Sequence, residues 1–100
     1  MEQLNLDNLR KSLDNIDGAL ILLLAERFKI TQKVAQYKKE NNLPAVDKVR
    51  EQTHLENIKD IASSAGLDPV FAEKFLQLII DEAVANHKKY LSESMNMIKS

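Results

Sequence analysis

Leu9, Leu13, Ile16, Leu20, Leu23, Arg27, Ile30, Val34 and Tyr37 succeed one another by alternating steps of four and three, the spacing of a single helical seam. After Gly18 no Gly or Pro interrupts this stretch until Pro44, so the pattern predicts one long first helix. At about 1.5 Å of rise per residue, such a helix outreaches the width of a compact monomer of 100 residues. It therefore needs a partner. A second chain packed along the same seam is the simplest supply of one, because Leu20 to Leu24 otherwise leave an apolar patch in water.

Asn41-Asn42-Leu43-Pro44 ends the first helix, since Pro44 cannot continue the hydrogen-bond ladder. Asp47 suits the N-cap of a second, whose stripe runs Glu51, Leu55, Ile58, Ala62 and Ala65 and stops at Gly66. Asp68-Pro69, a cap residue followed by Pro at the first helical position, opens a third. Its stripe passes through Ala72, Leu76, Ile79, Ala83, His87 and Tyr90, widened by Phe75 and Ile80. With two Gly and two Pro in all, little turn chemistry is left for hairpins. The expectation is an all-α fold of one long and two shorter helices, with residues 1–100 forming a single domain.

The formal net charge of −1 gives no general attraction for nucleic acid or an anionic membrane, so any anion must be held locally. The absence of Cys rules out thiol chemistry and Cys-based zinc sites, and the apolar run Ala19 to Ala25 is far short of a membrane span of about 20 residues. The first residues lack the basic start and apolar stretch of a signal peptide. Together these features read as a cytoplasmic protein.

Charged residues stand where a core should be. Arg27 lies on the seam with Leu23 and Ile30 one turn to either side, where an unpaired guanidinium is costly and an anionic partner is expected. Lys38, eleven residues later, returns to within roughly 20° of the same face. Glu51 heads the second stripe, Asp47 precedes it by one turn, and His87 lies on the third. Each has a plainer reading. Arg27 also suits a buried ion pair with Glu51 or a register-setting place in a coiled coil; Lys38 suits the negative end of a helix; Asp47 suits a cap, and His87 a satisfied core histidine. Their convergence from separate helices, two cations and two carboxylates toward one interior, points to a pocket. No zinc-binding set, phosphate loop or Ser-His-acid arrangement can be placed, and His54, between Thr53 and Leu55, is expected at the surface.

At these residues the chain resembles the all-helical chorismate mutases, from about Leu6 to Tyr90. The resemblance rests on Leu9-Arg10 with Ile16-Asp17, on Leu23-Leu24-Ala25-Glu26-Arg27, and on Val34-Ala35 with Lys38. It continues through Leu43-Pro44 followed by Asp47-Lys48-Val49-Arg50-Glu51, and through Gly66-Leu67-Asp68-Pro69 leading to Phe75 and Ile79-Ile80. It implies an intertwined homodimer forming a helical bundle, which converts chorismate to prephenate in phenylalanine and tyrosine biosynthesis without a cofactor or metal. Carried over, Arg27 and Arg10 of the other chain would bind substrate carboxylates, and Lys38 a carboxylate and the ether oxygen. Glu51 and the backbone at Asp47 would hold the ring hydroxyl, with Arg50 shaping the charge nearby.

The chain departs from the commonest family pattern at two positions. Ala83 replaces a hydroxyl residue, which removes a carboxylate contact, and His87 replaces the Gln or Glu that faces the ether oxygen. An imidazole remains a possible donor there, of a strength set by its protonation. The nearest rival activity is an isochorismate-pyruvate lyase of the same fold, against which the Asp47-x-x-Arg50-Glu51 block counts. A rival of another kind is a non-enzymatic helical dimerisation module, in which Arg27, Lys38 and Glu51 form only a buried ion network.

Overall fold

A computed structural model of the chain describes the backbone of residues 4–99 and the side chains of residues 4–89. Three helices follow one another: α1 (Leu6–Glu40), α2 (Lys48–Ser64) and α3 (Pro69–Lys99). The all-α expectation holds, but α3, at 31 residues, is nearly as long as α1 at 35. Nothing after Pro69 stops it, because the remaining sequence holds neither Gly nor Pro. Tyr90, the last residue of its expected stripe, has its side chain outside the described residues.

The helix ends are fixed by local hydrogen bonds. The Asn5 carboxamide oxygen accepts from the backbone N–H of Asp7 at 2.9 Å and of Asn8 at 3.3 Å, starting α1 a turn earlier than the seam suggests. At the other end Asn42 adopts a left-handed φ of 55°, and Leu43 N–H donates to the Lys38 carbonyl at 2.8 Å. This closing turn stops α1 before Pro44 is reached, so Asn42, rather than the proline alone, terminates it. Gly66 does the same for α2 with φ 76°, as Leu67 N–H donates to the Ala62 carbonyl at 2.8 Å. Asp47 caps α2 through Arg50 N–H at 3.0 Å, and Asp68 accepts from Val70 N–H at 2.9 Å at the start of α3.

At Gly66 an added Cβ would meet no atom within 4 Å, so only backbone strain opposes a side chain there. Gly66→Ala is therefore expected to lower the unfolding free energy by about 1 kcal/mol and leave activity intact. Urea unfolding at matched protein concentration checks this; wild-type stability in the variant would contradict the cap.

The described core lies between α2 and α3. Leu55 and Ala62 of α2 are buried against Ala72, Leu76 and Ile79 of α3, all on the expected stripes, whereas Ala65 is exposed past the end of α2. α3 also packs on α1, while the backbones of α1 and α2 stay apart. As a result no residue of α1 is buried, and Leu13, Ile16, Leu20 and Leu23 lie in the open. The molecule extends over 64 × 32 × 17 Å, with a radius of gyration of 18.3 Å against about 13 Å for a compact domain of this length. No described helix is long and apolar enough to cross a membrane.

Candidate active site

The C-terminal half of α1, the α1–α2 connection, the start of α2 and the middle of α3 line two adjoining cavities of about 140 and 200 Å³. Arg27, Lys38, Ala45, Ile80 and Val84 line both, so the cavities form one continuous space. The first is completed by Thr31, Val34, Ala35, Ala83 and His87, and the second by Val46, Asp47, Arg50, Glu51 and His54. Seven of the eight residues singled out in the sequence thus meet here. Arg10 does not: seventeen residues before Arg27, it stands about 25 Å up the same helix.

Arg27 is expected to find an anionic partner, and among the described residues it has none. Among the described residues the ion pairs are Lys29 with Glu26 and Lys59 with Glu73, and Arg27 Nη1 is buried without a hydrogen bond. His87 Nδ1 is likewise buried and unpartnered, so it is not the satisfied core histidine of the plainer reading. Two buried polar atoms left open beside one cavity mark a place where a polar ligand would relieve a desolvation cost of about 1–3 kcal/mol each.

The carboxylates at the site are already engaged. Asp47 accepts from the Arg50 backbone, and Glu51 Oε1 accepts from Gln77 Nε2 at 3.3 Å. Gln77 also donates to Asp81 Oδ1 at 2.9 Å, which fixes the amide that steers Glu51. Lys38 Nζ donates to the Ala45 carbonyl at 3.2 Å and keeps two further protons for a ligand. That bond also ties the Pro44-containing connection over the cavity. Arg27, Lys38 and Arg50 outnumber the two carboxylates that line the space, and Ile80, Val84 and Val34 wall it with apolar surface that strengthens any charge contact inside.

His54 corrects the sequence reading, because it is half-buried and borders the second cavity. Burial, then Arg50, then Arg27 hold its imidazole below the ordinary histidine value of 6.5. The signal was present in the spacing: His54 follows Arg50 by four residues and Glu51 by three, which places all three on one helical face. Thr31, Val34, Ala45, Ile80 and Val84 were not anticipated as lining residues either. Thr31 directs its hydroxyl to the Phe28 carbonyl at 3.0 Å.

A family model described as chorismate mutase type II matches residues 9–88, a stretch that contains Arg10 and every cavity-lining residue named above. The chain belongs to the type II chorismate mutases. A chorismate mutase of Methanocaldococcus jannaschii is 31% identical over 94 residues, which cover 94% of this chain and 95% of that protein. Bifunctional chorismate mutase/prephenate dehydratases are similar over the same region. That of Buchnera aphidicola subsp. Schizaphis graminum is 34% identical over 87 residues, and that of Escherichia coli 30% identical over 90. The aligned region covers 87% and 90% of this chain and 23% of each bifunctional protein, so the chain spans about a quarter of their length. The region matched by the family model is the one that carries the cavities.

Proposed function

We propose that this chain is an enzyme that rearranges chorismate to prephenate, with residues 1–100 as one mutase domain working as a cytoplasmic homodimer. The observation that carries the reading is that Arg27 and His87, each with a buried guanidinium or ring nitrogen that has no hydrogen-bond partner, line with Lys38 a cavity walled by apolar side chains. A pericyclic rearrangement requires neither nucleophile nor proton transfer, so positioning and charge suffice. Arg27 grips a substrate carboxylate and favours the conformer in which the reacting carbons approach. Lys38 contacts a carboxylate and the ether oxygen, whose negative charge grows as the C–O bond breaks; a donor aimed there stabilises the transition state more than the ground state. Glu51, steered by Gln77, and the backbone at Asp47 hold the ring hydroxyl, and Arg50 adds to the positive field.

The dimer supplies what one chain lacks. The accessible surface is 8538 Å², against about 5,800 Å² for a compact monomer of this mass, and the surplus is of the size that obligate homodimers bury. An antiparallel α1 from a second chain covers Leu13, Ile16, Leu20 and Leu23 and carries its own Arg10 toward this cavity as the second carboxylate ligand. Ala83 gives the substrate no hydroxyl, leaving the carboxylates to the arginines.

Assaying prephenate formation from chorismate, with pyruvate release from isochorismate alongside, tests the reading. Unchanged chorismate would defeat it, and pyruvate release alone would make the protein a lyase. Against the ion-network alternative stands the lack of an Arg27–Glu51 ion pair among the described residues.

His87 serves in this reading as the second donor to the ether oxygen. His87→Gln, which keeps an N–H, is expected to retain most of kcat, whereas His87→Leu should lose about 100-fold, the effect of deleting one such donor. Equal activity in the two variants would remove His87 from this role.

A further inference from the structure

The chain holds two histidines, and both border the same continuous space. His54 comes from the α2 wall, opposite the apolar Ile80 and Val84 of α3. The charged groups that face its cavity are Arg27 and Lys38 from α1, Asp47 from the connection, and Arg50 and Glu51 from α2 itself. From α3, Gln77 donates to both Glu51 and Asp81. Three cations against two carboxylates leave the surroundings of His54 net positive, with Arg50 one helical turn before it, and no hydrogen bond holds its ring among the described residues.

Such an environment disfavours another positive charge while the cavity lacks an anion, and ceases to do so once a dianion occupies it. The two ligand charges would offset those of Arg27 and Arg50 and give the imidazole a counter-ion at close range. We propose that His54 is a further substrate-binding residue, neutral in the free protein, which takes up one proton from solvent as the dicarboxylate enters and then holds a substrate oxygen as a charged donor. This rests on the mutase reading above. The direction of the free-state perturbation agrees, since burial and the two arginines hold the imidazole below 6.5 before ligand arrives.

By linkage, affinity then falls by up to about tenfold per pH unit in the window above the free-state titration of His54 and below its ligand-bound one. Calorimetric titration of the whole dimeric protein with prephenate, a dianion that needs no turnover, reads this in two buffers of different ionisation enthalpy near pH 7. Wild type and His87→Gln should both take up a proton on binding. His54→Gln should take up none, and its Kd should lose the pH dependence in that window. Proton-free binding by wild type, or uptake retained in His54→Gln, overturns the proposal. No prephenate binding by wild type overturns the mutase reading itself, and the proposal with it. Ring C–H resonances give a second measurement independent of that variant's folding. In His87→Gln the single remaining imidazole is His54, and its titration midpoint must rise when prephenate is added; a midpoint that stays in place refutes the uptake.

Discussion

Arg27→Ala is expected to abolish nearly all chorismate turnover while leaving the fold as stable as before or more so. Removing one preorganised charged donor from a water-poor site costs about 100- to 1,000-fold in kcat, or about 3–4 kcal/mol of transition-state stabilisation. A carboxylate grip lost at the same time adds to it. Stability should move the other way, because the guanidinium carries a buried Nη1 without a partner, and deleting an unsatisfied group relieves its desolvation. Lys38→Ala should show a loss of turnover of the same order. Its stability should fall modestly, since the bond from Nζ to the Ala45 carbonyl disappears. Measuring kcat/KM alongside urea unfolding for each variant separates activity from folding. If Arg27→Ala unfolds readily and its folded fraction keeps full specific activity, the guanidinium is structural and the site is misplaced.

This opposition between activity and stability is what the sequence could not give. It showed that Arg27 lies on an apolar seam and needs an anion; whether Glu51 is that anion depends on side-chain directions that helical periodicity leaves open. Gln77, twenty-six residues away, decides it by taking the Glu51 carboxylate. Periodicity served well where burial is set by one face of one helix. Leu55, Ala62, Ala72, Leu76 and Ile79 form the core at the expected spacing, and Asp47, Gly66 and Asp68-Pro69 bound their helices as their cap chemistry predicts.

It served less well where a residue type is ambiguous. Asn42 ends α1 by entering a left-handed conformation, a choice that asparagine tolerates but does not announce. His54 was placed at the surface because its neighbours in sequence, Thr53 and Leu55, show no partner. It shares the cavity instead with Glu51 and Arg50, three and four places back, and with Arg27 of another helix. The family model spans both the legible and the illegible parts, since it matches residues 9–88 as a whole.

Arg10→Ala and Arg27→Ala chains, each expected to be nearly inactive alone, should recover activity when unfolded together and refolded as a mixture. The two arginines stand about 25 Å apart on one rigid helix, so one small substrate cannot bridge them within a chain. An antiparallel partner helix reverses that offset and sets Arg10 of one chain near Arg27 of the other. A mixed dimer then has one site in which both arginines are missing and one in which both are present. Because equal mixing makes about half of the dimers mixed, the recovered activity should approach about a quarter of the wild-type value. Neither variant should lose its ability to dimerise, since Arg10 is exposed and the apolar face of Leu13, Ile16, Leu20 and Leu23 is untouched. Native mass spectrometry of differently tagged chains establishes that mixed dimers have formed. Proven mixed dimers without recovery would show that Arg10 serves no site across the interface, and the second carboxylate of the substrate would need another ligand.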